Sequence, residues 1–168
     1  MTLSELNAAS AEEFGEALFG IWEHSPWVVD AAASLRPFGD RFALMAAMVS
    51  AVKGAGEPRQ LALLRAHPDL AGKLAQAKAL TAESTREQAS VGLDQLSAEE
   101  FADFTAWNTA YRERFGFPFI ICVRDNTKAT IREAFARRLA HPRETEMETA
   151  LDEVRKIAEY RLRDRVME

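Results

Sequence analysis

The chain has 168 residues, a net charge of −5 and a pI near 5.4, with 48% hydrophobic and 28% charged side chains. That is the composition of one soluble globular domain, and the acidic balance argues against a general nucleic-acid or anionic-membrane binder, which needs a basic face. A single cysteine, Cys122, excludes an internal disulfide framework and fits a reducing compartment. No apolar run approaches the roughly 18 residues of a membrane span. The N-terminal MTLSELNAASAEEF lacks a cationic secretory start and the C-terminal DRVME lacks a peroxisomal address, so a cytoplasmic location is expected.

In chain order, Ser10-Ala-Glu-Glu13 forms a capping box, and Phe14, Leu18, Ile21 and Trp22 follow at helical spacing. This first helix is expected to end near His24 and Ser25, because Pro26 disfavours helical geometry in the residue before it. Pro26 itself opens a short helix through Trp27, Val28 and Ala31, broken by Pro37 and Gly39. Asp40 N-caps a third helix with Phe42, Met45, Val49 and Val52 on one face and Gly54 beyond its end. Pro58 opens a fourth, carrying Leu61 and Leu64 towards His67, and a fifth follows Pro68 with Leu70 and Leu74 inward. Thr81 or Ser84 starts the next, which stops at Gly92.

A second capping box, Ser97-Ala-Glu-Glu100, leads Phe101, Phe104, Asn108 and Tyr111 to a stop at Gly116. Pro118 then precedes Phe119-Ile120-Ile121-Cys122-Val123, apolar at every position, rich in β-branched residues and too short for a helix. With no second strand to pair with, it is expected to be a buried extended connector. A helix from about Thr127 through Ile131, Phe135 and Leu139 ends before Pro142, and the last runs from about Glu144 through Leu151, Val154, Ile157, Ala158 and Leu162. The expected fold is therefore all-α: a single-domain bundle of about eight helices spanning 1–168, with one extended connector at 119–123.

Two groups of polar residues lie at the edges of expected helices, where backbone groups lack intrahelical partners. His67 directly precedes Pro68; a histidine there is a helix-terminal residue on residue type alone, although the C-terminal carbonyls also raise an imidazole pKa and suit a proton donor. Ser84-Thr-Arg-Glu87 is equally a capping box, and a helix N-terminus at Ser84 would offer free amides to an anion. Gln88 has no capping role. Phe119 to Val123 is most simply core, but its N–H and C=O groups need partners, which water, neighbouring helices or a planar heterocycle can supply. Cys122 has no sequence-adjacent base, arguing against a nucleophile. His24, His67 and His141 are too scattered for a metal site, and the arginines 132, 137, 138, 143, 155, 161, 163 and 165 are expected on solvated faces.

HPDLAGK at 67–73, ESTREQASVGLDQL at 83–96 and FGFPFIICV at 115–123 together resemble the signature stretches of 2-oxo-4-hydroxy-4-carboxy-5-ureidoimidazoline (OHCU) decarboxylases, the last enzymes of the urate-to-allantoin route. LNAAS at 6–10, EHSPWV at 23–28, RPF at 36–38 and KIAEYRL at 156–162 extend the resemblance over nearly the whole chain. Trp107, before Asn108, departs from the smaller aliphatic expected there. The resemblance implies an all-helical homodimer that takes a small ureidoimidazoline substrate and uses no cofactor or metal. It implies His67 and Glu87 as catalytic residues. Substrate contacts are implied at Pro68, Ser84, Glu87, Gln88 and the main chain of Phe119, Ile120, Ile121, Cys122 and Val123. Two rivals are a decarboxylase of a related ureido or imidazoline carboxylate and a non-catalytic helical interaction module; the second would be marked by loss of His67 or Glu87, and both are present.

Overall fold

The structure, a computed structural model, describes residues 1–72, 75 and 80–168. Among the described residues it contains nine α-helices and one 3-10 turn and no β-sheet, in agreement with the all-α expectation; an isolated parallel bridge joins Thr2 and Met167. The helices are α1 (Leu3–Ala8), α2 (Ala11–Ala17), α3 (Pro26–Ala33), α4 (Arg41–Gly54), α5 (Glu57–Arg65), α6 (Ala82–Ser90), α7 (Ala98–Phe115), α8 (Lys128–Leu139) and α9 (Arg143–Arg165). The chain forms two compact units, one of residues 1–66 and 155–168, the other of residues 67–154.

In the first unit, α1, α2 and α4 start at side-chain caps that satisfy the orphan amides of a first turn, whereas α3 and α5 start with a proline in the first turn. Thr2 and Ser10 form capping boxes with Glu5 and Glu13, and Asp40 accepts from the Ala43 N–H at 2.7 Å. A further helix, α1, precedes the one expected from Ser10, and that one, α2, ends at Ala17, well short of His24, giving way to turns in which Gly20 and His24 take positive φ. On α4 the buried face is Leu44, Met45, Met48 and Val52; Phe42, expected inward, is 81% exposed. Trp22 packs under α4, its indole N–H donating to the Met48 sulfur at 3.2 Å. Arg161, expected on a solvated face, is instead buried and paired at 2.8 Å with buried Glu23.

The second unit holds α6, α7, α8, the first half of α9 and an aromatic core. Tyr111 meets Phe119 edge-on at 5.2 Å, and Phe119 stacks on Phe135 at 3.7 Å. Gly116 ends α7 with φ +80, the left-handed cap that a side chain would strain. The 117–123 stretch is buried throughout and contains no strand, as expected of a connector, except that Val123 already belongs to a 3-10 turn, Val123–Asp125. Arg138, also expected on a solvated face, is 2% exposed. Of the helix expected after Pro68, Leu70 is buried while Leu74 lies outside the described residues.

Candidate active site

His67 stands just past Ala66, the residue that caps α5, and its side chain is buried. Pro68 stops any continuation of the helix and sends the chain into a turn at 69–72. Ala71 in this turn has φ +52, a left-handed conformation unusual for a residue with a Cβ. A methyl group on Gly72 would come within 3.1 Å of the Asp69 Cβ, so the turn closes tightly on itself.

Three side chains from two helices hold that turn. Gln88 on α6 accepts from the Ala71 N–H at 2.9 Å and donates to the Asp69 carbonyl at 3.5 Å. Asn108 on α7 donates to the Leu70 carbonyl at 2.8 Å, and one turn along, Arg112 pairs with the Asp69 carboxylate at 2.8 Å. Gln88 and Asn108 are both buried, so each bond replaces water at a backbone group that would otherwise be left unsatisfied. Among the described residues the Asn108 Oδ1 has no hydrogen-bond partner.

Helix α6 is capped by Thr81, whose hydroxyl accepts from the Ser84 N–H at 3.3 Å. Ser84 is therefore the third residue of the helix and not its cap, which corrects the capping-box reading of Ser84 and Glu87. Ser84 and Gln88 occupy the buried face, with Glu87 half-buried beside them. The same helix packs against the 3-10 turn that follows the connector.

Much of the connector's backbone is already engaged by later helices. The Cys122 N–H donates to Glu153 at 3.0 Å, its carbonyl accepts from Asn126 at 2.9 Å, and the Ile120 carbonyl accepts from Arg138. Among the described residues the N–H and C=O of buried Ile121 make no hydrogen bond. Burial, with Asp125 and Glu153 nearby, pushes the Cys122 thiol up to about 11, so it is a poor nucleophile at neutral pH.

The turn after His67, the Ser84–Gln88 face and the end of the connector thus adjoin through Gln88 and the packing of α6. Asp69, Asn108, Arg112, Arg138 and Glu153 were not singled out from sequence. Asn108 had a legible signal, a polar residue in the apolar stripe of Phe104, Tyr111 and Phe115; the carboxylate partners had none.

A family model described as OHCU decarboxylase matches residues 7–163. The chain belongs to the OHCU decarboxylase family. It is 46% identical over 165 residues to a 2-oxo-4-hydroxy-4-carboxy-5-ureidoimidazoline decarboxylase of Haloferax volcanii, covering 98% of this chain and 96% of that one. It is 40% identical to the protein of that name from Amia calva, covering 98% and 94%. Among solved structures it resembles (S)-allantoin synthase, with 34% identity and a TM-score of 0.80, over 99% of this chain and 54% of that one. An OHCU decarboxylase crystallised in the presence of (S)-allantoin shares the fold, with a TM-score of 0.67 at 22% identity.

Proposed function

We propose that this member of the OHCU decarboxylase family converts 2-oxo-4-hydroxy-4-carboxy-5-ureidoimidazoline to (S)-allantoin and CO2, as a carboxy-lyase of urate degradation, with His67 as its acid/base group. The substrate carries its carboxylate on a carbon that bears a hydroxyl and adjoins a ring C=N. When the C–C bond to the carboxylate breaks, its electron pair enters the imine and the ring nitrogen takes a proton. The resulting enol then collects a proton at the ureido-bearing carbon from one face, while the hydroxyl proton leaves and the ring carbonyl forms. The substrate is its own electron sink, so the protein's tasks are orientation and proton transfer.

His67 handles the proton at the hydroxyl and ring. Glu87 accepts from the ureido or ring N–H groups, and Ser84, Pro68 and the backbone of 119–123 line the heterocycle. Gln88 both bounds the site and, through its amide, fixes the turn beside His67. The single observation that carries this reading is the Gln88 pair of hydrogen bonds, which ties the helix of Ser84 and Glu87 to the turn that follows His67. The unengaged backbone groups of Ile121 add support, being a buried donor and acceptor suited to an amide-rich ring. Cys122 and Val123 contribute shape more than hydrogen bonds, since the Cys122 N–H and the Val123 carbonyl are engaged within the protein.

Titrating the isotopically labelled protein with (S)-allantoin tests the assignment. Amide signals of 67, 84–88 and 119–123 are expected to shift together; shifts confined elsewhere would remove these residues from the site.

The working protein is a cytoplasmic homodimer in this reading. Phe42, Met45 and Val49 line an open cleft of about 440 Å³ whose rim carries Arg41, Arg155 and Arg163 as well as Glu159 and Glu168. Charges of both signs around an apolar lining suit a two-fold, self-complementary interface, and the exposed Phe42 in that lining supplies an apolar contact. No described helix is long and apolar enough to cross a membrane.

A further inference from the structure

Arg138 is among the largest fully buried side chains, a permanently charged group deep in an aromatic core. Its guanidinium Nε donates to Glu146, itself fully buried, and an Nη donates to the Ile120 carbonyl. The guanidinium carbon lies 4.3 Å from the centre of the Phe119 ring. Glu146 is fixed in turn: it accepts from the Tyr111 hydroxyl at 2.6 Å and its other oxygen lies 3.1 Å from His141 Nδ1. Burial and the bond to Glu146 push the Tyr111 phenol far above its ordinary range, so it remains a donor.

We infer that Arg138 is a positioning residue for the decarboxylation: it sets the direction of the 119–123 backbone by holding the Phe119 ring and the Ile120 carbonyl at once, with Glu146 and Tyr111 fixing the guanidinium plane. The inference rests on the reading of 119–123 as a substrate-contacting stretch. Burying an ion pair is costly, and a hydrocarbon cluster of equal volume is often as stable. A rigid fork does what hydrocarbon cannot, fixing the angle of a carbonyl as well as its position. The held carbonyl shares its peptide plane with the Ile121 N–H, and neither that N–H nor the Ile121 C=O is engaged by any described residue. Rotation of the Ile120–Ile121 peptide would swing that donor away from any ring lying against it.

The test compares wild type with Arg138→Lys, which keeps the charge but cannot hold Glu146, the carbonyl and the ring together. Helicity by far-UV circular dichroism at the assay temperature, with a Tm well above it, establishes that the variant is folded. For folded Arg138→Lys, kcat/KM is expected to fall about 10–100-fold, the usual cost of a misplaced contact, while the pH profile set by His67 keeps its shape. Loss within twofold would overturn the positioning role. Wild-type amide shifts at 119–123 on adding (S)-allantoin separate the two claims: with those shifts present and Arg138→Lys fully active, the inference alone fails. With no such shifts in wild type, the site reading fails and takes the inference with it. If Arg138→Lys does not fold, Tyr111→Phe removes one donor from Glu146 and is expected to lower kcat/KM several-fold, and wild-type kcat/KM in that variant would overturn the inference.

Discussion

Ala71 adopts a left-handed conformation that glycine accepts without cost, so Ala71→Gly trades strain in the folded turn against entropy in the unfolded chain. The expected outcome is unchanged or slightly raised Tm, by contrast with a typical exposed-turn Ala→Gly change. A clear fall in Tm by calorimetry would contradict the strained turn. Asn108→Ala leaves the buried Leu70 carbonyl without its donor. The expected loss is about 1–3 kcal/mol of stability in denaturant titration, with reduced kcat/KM because the turn beside His67 loosens. Cys122 tests burial of the connector through pH. Its folded thiol titrates at about 11, above the roughly 8.5 of an unfolded cysteine, so the unfolded chain ionises first. The stability this group contributes is complete below pH ~8.5 and is lost as pH rises towards 11. Cys122→Ala is expected to flatten that part of the Tm–pH curve, and the native thiol to resist aromatic disulfide reagents at neutral pH.

At the scale of elements, α6 allows structural and functional roles to be told apart, because its cap, Thr81, and its proposed site residues are different side chains. Thr81→Ala is expected to cost about 1 kcal/mol, the usual value of an N-cap. Ser84→Ala removes no cap and is expected to raise KM with little change in Tm; the reverse pattern would restore Ser84 as the cap. Most helix starts were legible because capping boxes, Asp40, Pro26 and Thr127 are local signals whose chemistry acts within three residues. The stop of α2 at Ala17 was not, since the apolar spacing of Leu18, Ile21 and Trp22 continues through turns that are buried by tertiary contact. Arg161 is buried because a carboxylate far along the chain meets it, Glu23 lying 138 residues away. The partner of Arg138, Glu146, is eight residues on in the next helix and meets it only through packing of the two helices, which neither helix's own pattern shows. The three signature stretches were legible as motifs, whereas the junction of the first two through Gln88 depends on hydrogen bonds to backbone, and that of the third on the packing of α6, neither of which sequence encodes as a pattern.

At the scale of the molecule, the family match runs from 7 to 163 and includes residues of both compact units. A charged side chain at the most exposed large apolar residue tests the proposed dimer face: Phe42→Glu is expected to convert a dimer to monomer in light scattering, and an unchanged mass would place the interface elsewhere. The central claim is that His67 supplies the proton traffic in a site built around it. It is tested most directly by following circular dichroism of the product while freshly oxidised and hydrolysed urate decays. Wild type is expected to speed the decay and yield a single enantiomer, (S)-allantoin, and His67→Ala to lose about 10²–10⁴-fold in rate, leaving racemic product from spontaneous decay with far-UV signal and Tm preserved. A folded His67→Ala that still produces optically active allantoin at the wild-type rate would contradict the account.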